Sequence, residues 1–147
     1  MKSIAPPILF TSFTLEIWMM FTAEIMTQHT FFHLASPTYL EITNATNTFV
    51  LTADINGDVF SIIYTDYTGQ KWAHLAFVHD QPTGMTKFYI DENDSDLGSN
   101  LIAAFFVSGV AIGSREDQSL PFVGYLYDFR VWTVSRKKQQ IVSLMYK

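Results

Sequence analysis

Apolar residues recur at every second position through most of this chain. Between positions 13 and 21 the odd residues Phe13, Leu15, Ile17, Met19 and Phe21 are all apolar, while the even ones include Thr14 and Glu16. Successive side chains of a β-strand point to opposite sides, so this alternation predicts a strand with one buried face. Short β-rich runs follow at 29–34 and 39–43, separated by the turn signal Ala35-Ser36-Pro37. Runs at 48–54 and 59–64 flank Asn56-Gly57, a dipeptide that supplies the two positive φ angles of a tight hairpin turn.

After Thr68-Gly69, residues 72–79 are apolar on both phases, as expected of a strand covered on both faces. Its partner is predicted at 85–91, across Gln81-Pro82-Thr83-Gly84. The polar stretch 91–100 is expected to be a loop, followed by strands at 101–107 and 110–112. A long strand is predicted over 122–134. Ser135 is then placed to cap a short helix whose Ile141, Leu144 and Met145 lie on one side. Strands at this spacing with turn signals between them indicate an all-β sandwich or barrel, and at 147 residues a single domain spanning 1–147 is expected.

Composition narrows the function classes. Hydrophobic residues make up 48% of the chain and charged ones only 16%, which argues against disorder and for a large buried core. The net charge of -5 offers no footprint for nucleic acid. The only basic cluster, Arg136-Lys137-Lys138, reads as a solvated helix face. With no cysteine, disulfides and thiolate metal sites are excluded. Two prolines, Pro6 and Pro7, interrupt the start, so no signal peptide is read there. The longest charge-free stretch, 97–114, is broken by glycine, serine and asparagine and predicts no membrane span.

Several patterns could carry chemistry. Calcium needs six to eight oxygens, and Asp91, Asn93, Asp94, Ser95 and Asp96 are the densest supply. An EF-hand beginning at Asp91 fails, with Asp96 at its glycine position and Ile102 at its glutamate position. Turn chemistry favours a solvated acidic loop there, and likewise for Asp54, Asn56 and Asp58 around the hairpin turn. No nucleophile elbow or zinc-protease helix is present. His29, His33, His74 and His79 lie in apolar strands and read as hydrogen-bonded core histidines. Aromatic faces stack on sugar rings and anchor protein interfaces, and Trp18, Tyr39, Tyr64, Tyr67, Tyr125, Tyr127 and Trp132 are candidates. Trp72 is expected in the core, as is Trp132 in the alternative. Tyr125 and Tyr127 share one strand face, so both fill the sandwich or both line its outside. Asn44-Ala45-Thr46 and Asn93-Asp94-Ser95 are glycosylation sequons in predicted loops.

Three stretches resemble the laminin-G-like and pentraxin-like jelly rolls of the concanavalin A-like group. Phe13-Thr14-Leu15-Glu16-Ile17-Trp18 resembles the opening strand of that family. Trp72-Ala73-His74-Leu75-Ala76-Phe77-Val78 with Lys87-Phe88-Tyr89-Ile90-Asp91 resembles its central hairpin. Ile112-Gly113 with the run from Phe122 to Trp132, and on to Ile141, resembles its closing strand and helix. Glu92 departs from the family's turn glycine and Tyr127 from the first Asp of its closing pair. The resemblance implies a two-sheet antiparallel jelly-roll sandwich with a short C-terminal helix. In pentraxins an acidic loop after the Ile-Gly pair helps hold calcium, which makes Asp117 the matching ligand here, although Arg115 falls near where another would sit. Glucanases on this fold carry Glu-x-Asp-x-x-Glu on one strand, whereas Glu16 and Glu41 stand singly and Asp128 has no acidic neighbour two or four residues away.

The expectation is a non-catalytic module that recognises a glycan or protein partner in an extracellular or cell-surface setting. Its ligand site would draw on Tyr125, Tyr127, Trp18 and Tyr67. A calcium ion would draw on Asp91, Asn93, Asp94, Asp96 and Asp117, and glycosylation would fall on Asn44 and Asn93. The alternative is a structural subunit packed into a larger homo- or hetero-assembly.

Overall fold

The computed structural model describes residues 7–21, 29–35, 38–45, 48–55, 57–64, 71–99, 105–107, 109–115 and 117–146. Twelve strands and one helix are found among them: β1 (Ile8–Phe10), β2 (Phe13–Phe21), β3 (His29–Ala35), β4 (Thr38–Ala45), β5 (Thr48–Ile55), β6 (Asp58–Tyr64), β7 (Ala73–Asp80), β8 (Met85–Ile90), β9 (Asn93–Ser99), β10 (Phe105–Val107), β11 (Ala111–Ile112), β12 (Gly124–Trp132) and α1 (Lys138–Met145). One five-stranded sheet runs β12-β2-β7-β8-β9 and the other β11-β3-β4-β5-β6, while β1 and β10 pair separately. All pairings are antiparallel.

The alternation read from the sequence sets the core. Phe13, Leu15, Ile17, Met19 and Phe21 of β2 and Leu75 and Phe77 of β7 meet Phe31, Phe32, Leu40, Leu51 and Phe60 of the facing sheet. Ring pairs cross the gap: Phe60 lies 5.8 Å from Phe77, and Phe21 lies 6.4 Å from Phe31. Each such fully buried phenylalanine contributes about 1.5–3 kcal/mol by transfer from water. The hairpin of β5 and β6 forms as predicted, with Gly57 at φ 91° and its amide donating to Asp54 Oδ1 at 2.9 Å.

The outer face of β2 is not solvated, contrary to the one-sided pattern. Thr14 and Glu16 are buried because the chain after β12 crosses back over this sheet. Thr14 Oγ1 donates to the Val134 carbonyl and accepts from the Arg136 amide, both at 2.9 Å. Helix α1 then lays Ile141 and Met145 on Ala76, Val78 and Tyr89, a second small core on the outside of the sheet. This cover is why β7 is apolar on both faces.

Four further expectations are corrected. Residues 93–99 form β9 rather than a loop, because the backbone zips onto β8 with Asn93 opposite Ile90 and Asp96 opposite Lys87. Both sequons therefore start in strands, Asn44 in β4 and Asn93 in β9. The helix begins two residues later than the serine cap implied. Lys137 is its N-cap, its amide donating to Gln140 Oε1 at 2.8 Å, while the Ser135 hydroxyl donates to Asp80 Oδ1 at 2.7 Å. Arg136 is not on a solvated face but buried beneath α1.

The long final strand carries a bulge that matters for the site. Tyr127 pairs with Trp18 and Arg130 with Glu16, so three steps on β12 match two on β2. Asp128 takes the left-handed conformation there, φ 56°, which an Asx residue tolerates. In a regular strand Phe129 would share a face with Tyr125 and Tyr127. The bulge instead turns Phe129 into the core, 5.3 Å from Phe32, and leaves the two tyrosines outside.

Candidate functional site

The same end of three strands and one turn builds an open groove on the outer face of the first sheet. Register places Tyr125 opposite Met20, Tyr127 opposite Trp18, and Trp18 opposite His74. Trp72 precedes β7, where alternation from the inward Ala73 turns it outward, beyond the reach of α1. It is 44% exposed, which corrects its assignment to the core. Its ring centroid lies 6.4 Å from Tyr125 and 6.5 Å from Tyr127, and these tyrosines are 56% and 67% exposed. Trp18, Trp72, Tyr127 and Tyr146 line the groove together with Asp91, Glu92 and Asn93, around a volume of about 970 Å³.

The walls are held from beneath. The Trp18 indole N–H donates to the Met145 carbonyl at 3.2 Å, and its ring packs 5.1 Å from the His74 imidazole and 5.8 Å from Tyr146. Arg130 Nη1 donates to the Leu144 carbonyl at 3.0 Å, so two sheet residues cap the end of α1 that carries Tyr146. Side-chain hydrogen bonds with Asp128 raise the Arg130 pKa above its ordinary value, fixing its charge at the helix carboxyl end, where a cation is favoured.

The polar rim is the two-residue turn between β8 and β9. Asp91 adopts φ 54° and exchanges two bonds with His74: its amide donates to the His74 carbonyl at 2.7 Å and its Oδ1 accepts the His74 amide at 2.9 Å. The carboxylate is thereby fixed at the groove mouth, with exposed Glu92 and Asn93 beside it. An apolar aromatic floor with a few placed oxygen and amide groups suits a ligand that stacks one face and hydrogen bonds at its edge.

Of the residues singled out from the sequence, Trp18, Tyr127, Asp91 and Asn93 come together here, and Tyr125 backs Trp72. Tyr67 lies outside the described residues, as do the side chains of Asp94, Asp96, Asn44, Tyr39 and Tyr64. Trp132 is half-buried with the Arg136 guanidinium 4.0 Å over its ring. Sequence reasoning missed Trp72, Glu92 and Tyr146. The parity of Trp72 with His74, Ala76 and Val78 was a signal for the first, whereas Tyr146 joins the groove only through the docking of α1.

Asp117 is elsewhere, in the turn that precedes β12. Its carboxylate pKa is held below the ordinary value by hydrogen bonds with Ser119, whose amide donates to Oδ1 at 2.9 Å. Nearby, Arg115 reaches the buried Glu41 of β4 through Nε and Nη2, at 2.6 and 3.0 Å. Arg115, which falls near where another pentraxin ligand would sit, is thus paired with Glu41. Among the described residues, no group of three or more histidine, aspartate or glutamate side chains converges as metal ligands. The histidines serve the core: His29 Nδ1 lies 2.9 Å from the Pro121 carbonyl and His79 Nδ1 lies 3.0 Å from Thr86 Oγ1. No helix among the described residues is long and apolar enough to cross a membrane.

Comparison with solved structures gives the same fold at low identity. A candidate carbohydrate-binding protein from Bacteroides ovatus superposes with a TM-score of 0.71 at 22% identity, over 95% of this chain and 42% of that one. This chain thus spans less than half the length of that protein. The heptameric SAP-like pentraxin of Limulus polyphemus gives 0.69 at 17% identity, over 92% of this chain and 70% of its own. The CBM40 module of the Ruminococcus gnavus IT-sialidase, solved with alpha2,3 sialyllactose, gives 0.68 at 16%, over 92% and 82%. No curated protein sequence matches the chain. The model of the concanavalin A-like lectin/glucanase superfamily in its laminin-G form covers residues 3–142, and the chain belongs to that superfamily.

Proposed function

We propose that this domain is a non-catalytic glycan-binding module, and that the groove of Trp18, Trp72, Tyr127 and Tyr146 is its binding site. The observation that carries the reading is the cluster of exposed aromatic rings, Trp72 against Tyr125 and Tyr127, beside the fixed carboxylate of Asp91. Sugar rings present apolar C–H faces to such rings while their hydroxyls bond to the rim. The carbohydrate ligands of the structural relatives support the reading, as does the lone placement of Glu16 and Glu41. Glycoside hydrolysis needs two carboxyls facing across a groove, roughly 5–10 Å apart, but Glu16 is buried beneath α1 and Glu41 is paired with Arg115 in the other sheet.

A glycan array followed by calorimetry on the best ligands tests this. Binding that is lost in Trp72→Ala and Tyr127→Ala variants of unchanged fold supports the assignment. Binding that survives both moves the site elsewhere, and an empty array overturns the glycan reading.

The setting that goes with this function is extracellular or cell-surface. Asn93 heads an N-glycosylation sequon but also lines the groove, and an attached glycan would stand in its mouth. The two roles exclude each other. Mass spectrometry of native material showing Asn93 modified would argue against the groove as the site.

A second reading, packing into a larger assembly, rests on exposed Val110, Ile112 and Val123 around the β11 and β12 edges. Concentration-dependent association in size-exclusion chromatography would support it, and a monomer throughout would remove it.

A further inference from the structure

We infer that the groove selects glycans carrying unacetylated amino groups, which are cationic, over neutral and acidic ones. This rests on the glycan reading above and adds the charge of the ligand to it. The groove combines the two features that attract an ammonium group: aromatic faces, whose quadrupoles favour a cation, and carboxylates at the rim. Trp72, Tyr127 and Tyr146 offer the faces, and Asp91 and Glu92 the carboxylates. Asp91 is held by its two hydrogen bonds with His74, so its carboxylate is positioned before a ligand arrives. Glu92 follows it in the turn, exposed and adjacent. Two arginines of this face are engaged by other groups: Arg130 by Asp128 and the Leu144 carbonyl, Arg136 by Glu16 and the Gln140 carbonyl. The net charge of -5 acts in the same direction at longer range.

A sugar acid in this groove would set its carboxylate against Asp91 and Glu92. An amino sugar would bring the opposite charge to the same point and keep the same ring faces for stacking. A partly exposed charge pair and a cation–π contact together give a cationic ligand an advantage of about three- to thirtyfold over its neutral counterpart at low salt.

The test is calorimetry of the whole domain with three oligosaccharides: glucosamine trisaccharide, its fully N-acetylated counterpart, and sialyllactose. A pH of about 6 keeps a free amine protonated. The expected order is amino, then acetylated, then acidic. The ratio of the first two should shrink severalfold when salt rises from about 0.02 to about 0.5 M, since screening weakens exposed charge pairs. Glu92→Gln, whose fold is checked by its unfolding midpoint, should lower that ratio by at least about threefold. Equal or tighter binding of the acetylated or acidic sugar overturns the charge preference and leaves glycan binding standing. If none of the three binds, the preference falls, and the glycan array decides whether the glycan reading falls with it.

Discussion

Arg136 Nη1 lies 3.5 Å from Oε1 of Glu16, a carboxylate without solvent exposure, although the two residues are 120 positions apart in the chain. Arg136 Nη2 also donates to the Gln140 carbonyl at 2.8 Å, and Glu16 Oε2 lies 3.4 Å from His74 Nε2. A single guanidinium therefore joins strand β2 to the helix that covers the sheet. Removing one partner of a buried pair strands the other's charge. Arg136→Met is expected to cost about 3–5 kcal/mol, and Glu16→Leu combined with Arg136→Met should recover most of it. Urea denaturation of the three proteins measures both. A single variant costing under about 1 kcal/mol would show that the pair does not anchor α1.

Acid should weaken the fold through His79. Burial pushes its pKa below the ordinary value of 6.5, against the opposing charges of Asp80 and Asp58. The unfolded chain then takes up a proton that the folded one refuses, so stability is full above 6.5 and falls as pH drops below it. Asp80, whose pKa is lowered by hydrogen bonds from Thr83 and Ser135, contributes stability that is lost only below 3.8. Unfolding midpoints between about pH 7 and about pH 5 should fall for the natural protein and fall less for His79→Gln. Parallel curves would exclude His79 as the source.

Gly124 is where β12 starts against the end of β2. A Cβ there would stand 2.2 Å from the Met20 carbonyl oxygen and 2.9 Å from Phe21 Cα, both backbone atoms of a paired strand. Gly124→Ala is expected to destabilise by at least about 2–3 kcal/mol. It should also weaken ligand binding, because Tyr125 is the next residue. A loss below about 0.5 kcal/mol in thermal unfolding would contradict the close approach.

Trp72 should separate stability from binding. Nearly half its surface is open and its contacts are to exposed tyrosines, so Trp72→Ala is expected to cost about 1 kcal/mol or less in unfolding. A ligand that stacks on it should lose at least about tenfold in affinity, the usual effect of removing an aromatic anchor. A variant that unfolds readily would instead make Trp72 a structural residue.

The sequence by itself determined the sandwich. Alternation in β2, the Asn-Gly hairpin and the paired runs at β7 and β8 are local signals, because a period of two needs only the strand to express itself. It also placed Trp18, Tyr125, Tyr127, Asp91 and Asn93 among the candidates. Only the tertiary structure decided which of them meet. The bulge at Asp128 chose the face of Phe129 against that of Tyr125 and Tyr127, and the return of the chain over β2 buried Arg136 and brought Tyr146 to Trp18. These outcomes depend on contacts between residues about a hundred positions or more apart, which no local periodicity carries.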